Sequence, residues 1–309
     1  MGATRRDFLT GSAVAVAAAI AGRVVPLAAW PQRGQGQAPP VTPVFTPLRR
    51  DVGFFTGRGG TIGYLINPGG VVVVDSQFPD AAALCLAGLN ERSGNRPIDW
   101  LINTHHHGDH TAGNIVFKGV AKKVAAHVRA AEHMRQPPGR QAQASEQLYP
   151  DTTFETTFEQ TIGGETVRAK HYGRAHTGGD AVITFTQANV AHMGDLMFNR
   201  RHPVVDRPAG ATLEGWIGVL EQTANEHTPE TVYIFGHAGA NIPVTGSRAD
   251  LLHFRDYLTA LLQHVRREVA AGRTEEEILA VREPLAGFPD HGPLNATILR
   301  NAYQEVAGS

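Results

Sequence analysis

Ile98-Asp99-Trp100-Leu101-Ile102-Asn103-Thr104-His105-His106-His107-Gly108-Asp109-His110 is an apolar run that passes directly into a cluster of imidazoles and a carboxylate. The run reads as a short buried strand, and His105, His107, Asp109 and His110 follow it within six residues. Imidazole nitrogen and carboxylate oxygen suit zinc where thiolate is not offered, and a compact loop aims several ligands at one point with little loss of chain entropy. Taken alone, the cluster would also suit a surface metal scavenger. Further along, the same arrangement recurs. His176 follows the strand-like residues 165–172, Asp195 follows 189–193, and His237 follows Thr231-Val232-Tyr233-Ile234-Phe235. Such residues at several strand ends converge on one edge of a sheet, the usual place for a site in an α/β protein. Gly178-Gly179, Gly194 and Gly236 lie beside them, so the backbone can approach closely and turn sharply there.

The remaining segments agree with an α/β architecture. Residues 61–66 and 71–74 flank Asn67-Pro68-Gly69-Gly70 and read as a hairpin whose second strand ends at Asp75. Residues 79–92 read as a helix, 123–128 and 181–186 as strands, and Thr212 caps a helix through Trp216 and Leu220. After Ser247 the pattern changes. A long amphipathic helix carries Leu251, Leu252, Phe254, Leu258, Leu261, Leu262 and Val265 and stops at Gly272. Thr274 with Glu277 forms a capping box for a second helix, and residues 295–306 read as a third. The division expected is a leader and linker over 1–38, a main domain over 39–246 and a helical extension over 247–309.

Of the 309 residues, 42% are hydrophobic and 18% charged, enough for a sizeable core, and the net charge of −1 offers no basic field to nucleic acid. The single cysteine, Cys85, allows no intramolecular disulfide and reads as packing on a helix face. Arg5-Arg6-Asp7-Phe8-Leu9, a short Ala-rich apolar run and small residues near Ala28-Ala29 compose a secretory signal resembling the twin-arginine type. The apolar run is too short for a good membrane span. The expectation is a periplasmic or secreted protein, cleaved between Ala29 and Pro40, with a small-molecule substrate and no stable membrane association after cleavage.

Thr104-His105-His106-His107-Gly108-Asp109-His110 resembles the signature of the metallo-β-lactamase superfamily. Ala175-His176-Thr177, Gly194-Asp195 and Gly236-His237 fall in that family's order, so the resemblance covers residues 45–243. It implies a four-layer αββα sandwich, here with a C-terminal helical extension, and two Zn2+ ions. His105, His107 and His176 would bind the first, Asp109, His110 and His237 the second, and Asp195 would bridge them. The implied activity is hydrolysis of a carbonyl substrate (a β-lactam, thioester, lactone or ester) by a metal-bridging hydroxide, with Asp109 orienting the nucleophile and accepting its proton. An iron-dependent oxygenase of the same fold and a periplasmic zinc-binding protein without catalysis are the competing classes. Gly194-Asp195-Leu196-Met197-Phe198 resembles the glyoxalase II version of its segment, and Phe198 stands where some zinc β-lactamases carry a lysine. Asp75 reads as a support behind a ligand or as a turn cap, and Arg200-Arg201-His202 as a contact for an acidic substrate group or as a solvated loop. His106 reads as a bystander, His192 as packed or as supporting a ligand, and the remaining histidines as unconnected with the site.

Overall fold

The computed structural model describes residues 40–136 and 146–308, and the leader read at the N-terminus lies outside them. The Asn67 turn forms as expected. Its side-chain oxygen accepts from the Gly69 and Gly70 N–H groups at 2.9 and 3.1 Å, and its amide donates to the Ile162 carbonyl at 2.7 Å. This turn sits in a seven-stranded sheet of sequential order: β1 (Val44–Arg49), β2 (Val52–Thr56), β3 (Ile62–Asn67), β4 (Gly70–Val74), β5 (Trp100–Asn103), β6 (Val124–His127) and β7 (Thr152–Phe154). The first four strands are antiparallel; from β4 onward pairing is parallel. Parallel neighbours need crossovers, and helices α1 (Pro79–Ser93), α2 (Gly108–Thr111) and α3 (Val128–Arg135) supply them.

The second sheet has six strands in the order β15-β13-β11-β10-β9-β8. They are β8 (Thr157–Ile162), β9 (Glu165–Lys170), β10 (Val182–Phe185), β11 (Val190–His192), β13 (Val232–Ile234) and β15 (Thr245–Gly246). Two short strands, β12 (Phe198–Asn199) and β14 (His237–Ala238), pair in parallel outside it. Helices α4 (Leu213–Glu226), α5 (Arg248–Ala270), α6 (Glu275–Leu279) and α7 (Ala296–Ala307) follow.

Side-chain alternation along β4 fixes the layers. Val72 and Val74 face the second sheet, packing with Val167, Ile183 and Phe185. Val71 and Val73 face Ala82, Cys85 and Leu89 of α1. A third cluster joins Met193, Leu196, Phe198 and Tyr233 to Trp216 of α4, to Leu251, Phe254 and Leu261 of α5 and to Ile298 of α7. Helix, sheet, sheet, helix is the four-layer αββα sandwich expected, with C-terminal helices. Cys85 is fully buried, and burial pushes its thiol pKa up, so it packs and does not react. Among the described residues no helix is long and apolar enough to cross a membrane.

The tail helices start where their caps were read. Ser247 and Asp250 form a capping box on α5, Thr274 and Glu277 another on α6, and Asn295 accepts from two N–H groups of α7.

Candidate metal centre

All seven ligand-type residues read from the sequence come together: four follow β5, His176 lies between β9 and β10, and Asp195 and His237 follow β11 and β13. His105, His107, His176 and Asp195 form one group, and Asp109, His110 and His237 another. Within each group the ligand atoms lie within 4.8 Å of one another. Asp195 faces both: its Oδ2 lies 3.8 and 3.6 Å from His105 Nε2 and His176 Nε2, and its Oδ1 lies 2.9 and 3.4 Å from His110 Nε2 and His237 Nε2. Asp109 Oδ2 is 3.1 Å from His237 Nε2.

Four of the histidines have the ring nitrogen remote from the centre occupied. Thr104 Oγ1 donates to Asp75 Oδ2 at 2.7 Å and so accepts from His105 Nδ1 at 3.0 Å. Asp206 Oδ2 accepts from His107 Nε2 at 2.9 Å, the Val204 carbonyl from His176 Nδ1 at 2.8 Å, and Asp75 Oδ2 from His110 Nδ1 at 2.8 Å. A carboxylate or carbonyl on one nitrogen puts the proton there and aims the other nitrogen's lone pair inward.

These inward lone pairs test the fit of a metal. His107 Nδ1 and His176 Nε2 face each other at 3.0 Å, yet each ring's proton is engaged on its far side. His105 Nε2 is buried without a hydrogen-bond partner. Buried acceptors without donors are costly, and a cation among them relieves every one of these contacts. The donor set, imidazole and carboxylate without thiolate, suits zinc.

Electrostatics point the same way. Burial, reinforced by the neighbouring imidazole of His110, drives the His105 pKa well below its ordinary value, and burial takes that of His176 down to about 3. Burial opposes charge on His110 too, but Asp195 and Asp75 outweigh it and hold the pKa well above the usual value. At His237, Asp195 and Asp109 overcome burial and raise the pKa to about 9. The carboxylate field that draws protons to these rings is the field that draws a cation, so metal and protons compete for the second group.

Backbone geometry brings the ligands close. A Cβ on Gly236 would collide with Asp195 Oδ1, and Gly194 takes a φ of +50° where a Cβ would collide with the Thr104 side chain. Asp75 fills both roles read for it, since its Oδ1 also accepts from the Thr104 N–H at 2.8 Å and pins the start of the motif loop. His192 packs between the sheets, its Nε2 on the Thr61 carbonyl and its Nδ1 accepting from the Gly194 N–H. His106 stays outside both ligand groups, 3.4 Å from Asp206 and with its ring tilted against that of His133 at 4.8 Å. Arg200 pairs with Asp290 at 2.6 Å and Asp250 at 3.5 Å, and His202 bonds the Tyr257 hydroxyl and the Pro293 carbonyl. Arg201 is exposed and lines a cavity of about 460 Å³ with Ala238, Gly239 and Ala240, the residues that follow His237 in the chain. A further cluster, His253, Asp290 and His291, lies in the tail. Arg200 already neutralises its carboxylate, so a cation there would meet a guanidinium.

Sequence reasoning missed Asp206 and the Val204 carbonyl. They lie in an irregular loop, with no spacing that ties Asp206 to a histidine 99 residues earlier.

An αββα sandwich with a seven-residue His/Asp centre at its strand ends defines a class of metal-site protein. Residues 56–262 match the model of the metallo-beta-lactamase superfamily, and the chain belongs to that superfamily. Among solved structures, a metallo-beta-lactamase from Pontibacter korlensis shares 19% identity at a TM-score of 0.58, covering 71% of this chain and 99% of its own. A metallo-beta-lactamase from Hirschia baltica shares 17% at 0.56, with 71% and 98% covered. A stereoselective inverting sec-alkylsulfatase from Pseudomonas sp. shares 19% at 0.65, and the match covers 86% of this chain but only 50% of that one. A search of curated proteins gives no match.

Proposed function

We propose that the chain is a hydrolase that holds two zinc ions and acts on a small carbonyl substrate. His105, His107 and His176 would hold the first ion, Asp109, His110 and His237 the second, with Asp195 between them. Bound there, the ions would supply Lewis acidity, lowering the pKa of water and polarising a carbonyl. The observation that carries the reading is the pair of ligand groups sharing Asp195, with inward lone pairs and the orphaned His105 Nε2.

The chain's own groups have distinct parts. Asp109 is the most solvent-reached carboxylate of the set, its side chain 30% exposed. Burial opposes its ionisation, but His237 and His110 keep its pKa low, so it is an anion at neutral pH. It can accept a hydrogen bond from the attacking water and take up its proton. Phe198 stacks on His237 at 5.3 Å and packs beside His176 and Trp216, so the position that holds a lysine in some zinc β-lactamases is here an apolar wall. Arg201, which makes no ion pair among the described residues, is the cation placed to meet a substrate's anionic group. The apolar wall at Phe198 favours a thioester, lactone or ester over a β-lactam, and Arg201 favours those that carry an anionic group. Export through the twin-arginine-like leader, with action in the periplasm or beyond, belongs to the same proposal. N-terminal sequencing of the exported protein should find a start between Ala29 and Pro40.

The deciding experiment is elemental analysis of the purified protein together with a chromogenic panel of β-lactam, thioester, lactone and secondary alkyl sulfate substrates. Two zinc ions per chain and turnover of a carbonyl ester are expected. One iron per chain with oxygen consumed would establish the oxygenase instead, and tight zinc without any turnover would establish a zinc-binding protein. Turnover of the sulfate alone would move the substrate from carbon to sulfur.

A further inference from the structure

Glu305 lies in α7, the last helix, and its carboxylate engages a segment more than ninety residues earlier. Oε2 accepts from Arg207 Nη1 and from the Leu213 N–H, both at 3.0 Å. Oε1 accepts from Thr212 Oγ1 at 2.5 Å and from the Glu214 N–H at 2.9 Å. Leu213 and Glu214 open α4, where unpaired N–H groups and the positive end of the helix favour an anion. With Arg207 on one side and α4 on the other, a side chain only 10% exposed closes both ends of the 207–212 turn.

That turn leads to two of the histidines. Asp206 Oδ1 accepts from the Ala209 N–H at 3.2 Å, which ties it to the turn, while its Oδ2 holds His107 Nε2. The Val204 carbonyl holds His176 Nδ1, and the Asp206 N–H donates back to the His176 carbonyl at 3.2 Å. The Thr212 N–H donates to the Ala175 carbonyl at 3.0 Å. Residues 204–212 thus touch the tail on one side and the outer nitrogens of His107 and His176 on the other. The second group has separate support, since Asp75 stands behind His110.

We propose that Glu305 is a positioning residue for the first histidine group: by fixing residues 204–212 it sets where Asp206 and the Val204 carbonyl hold His107 and His176, and so governs metal affinity at that group. The inference rests on the metal-centre reading above. It gives the tail a part in the chemistry at a distance from it. Loss of a partner behind a ligating histidine typically weakens metal binding about 10–100-fold, and Glu305 acts one link further out.

Zinc affinity of the full chain, measured by competition with a chromogenic chelator in a His237→Ala background, takes the tighter of the two affinities as that of the first group, whose ligands are all kept while the second has lost one. Glu305→Gln should weaken zinc about tenfold and Asp206→Asn about 10–100-fold. The double variant should be no weaker than Asp206→Asn, because both changes act along one path. Arg207→Met, which removes one of the four donors, is a milder variant expected to shift affinity the same way by a smaller factor. The melting temperature of the chelated protein should fall in Glu305→Gln whatever its role, because a helix cap is lost, so the zinc readout decides. Unchanged zinc affinity in Glu305→Gln would leave Glu305 a helix cap and overturn the proposal, and additive losses in the double variant would overturn the route through Asp206. If the background protein with Glu305 intact binds no zinc, the metal-centre reading fails and this inference falls with it.

Discussion

Asp75 sits at the end of β4 with a φ of +64°, a backbone conformation that costs a non-glycine residue about 1–3 kcal/mol. Contacts to the Thr104 N–H, the Thr104 hydroxyl and His110 offset that strain. Asp75→Ala should therefore leave buried donors unpaired, at about 1–3 kcal/mol each, and lower the melting temperature of the chelated protein. It should also weaken the second zinc about 10–100-fold, read by chelator competition; an unchanged second affinity would confine Asp75 to the turn. Asp109 tests catalysis. Asp109→Asn keeps size and removes charge, so at saturating zinc kcat should fall at least about a hundredfold while the fold persists. Near-normal kcat in the fully metallated variant would remove Asp109 as the orienting group. The ligand-type residues were legible because four share one short loop, two stand just past strand ends and His176 lies in the segment between β9 and β10. Asp206 and Thr104 were not, since a lone loop carboxylate and a hydroxyl next to the motif carry no periodic or spacing signal.

Among the elements, the strands that end at the centre were the readable ones. β4 and β5 are continuous apolar runs because both faces are covered, and every residue of β4 is buried. β1 and β8 went unread for the opposite reason. They are the edge strands of their sheets, with Pro47 beside a register irregularity in β1 and only partial burial along β8. A half-exposed strand carries Thr, Glu and Pro as readily as a loop does. Where a readable strand ends, its glycine is under constraint. Gly236 closes the run out of β13, and the missing methyl group is the space that Asp195 Oδ1 occupies. Gly236→Ala should push that carboxylate from its place between the two groups and lower zinc content below two per chain. Full zinc content with unaltered affinities would show that the strand end can yield instead.

Across the whole molecule, the tail and the sandwich share one apolar cluster, in which Leu251, Phe254 and Leu261 meet Met193, Leu196 and Phe198. Truncation after Gly246 would uncover that surface, so the shortened chain should aggregate or melt well below the full one; unchanged solubility and melting temperature would make the tail an accessory. Stability should also depend on pH. Burial, with His171 adding to it, lowers the His127 pKa to about 4, and burial outweighs Asp290 to bring His291 to about 4. The unfolded chain takes up these protons near pH 6.5 and the folded one only near 4, so chelated protein should lose stability as pH falls from 6.5 to 4. His127→Gln should flatten part of that slope, and an unchanged slope would exclude His127 as a source of it. The split of the centre between the sheets has one more consequence. His105, His107, Asp109 and His110 follow a strand of the first sheet, while His176, Asp195 and His237 follow strands of the second. With one cysteine in the chain, no intramolecular disulfide can tie the two halves together. Ions held as proposed would rivet them, closing a loop of roughly 100 residues, for which a permanent cross-link is worth roughly 4–5 kcal/mol of chain entropy. Unlike a disulfide, this rivet can be withdrawn and replaced, so the molecule's lifetime among proteases would track the zinc supply of its surroundings.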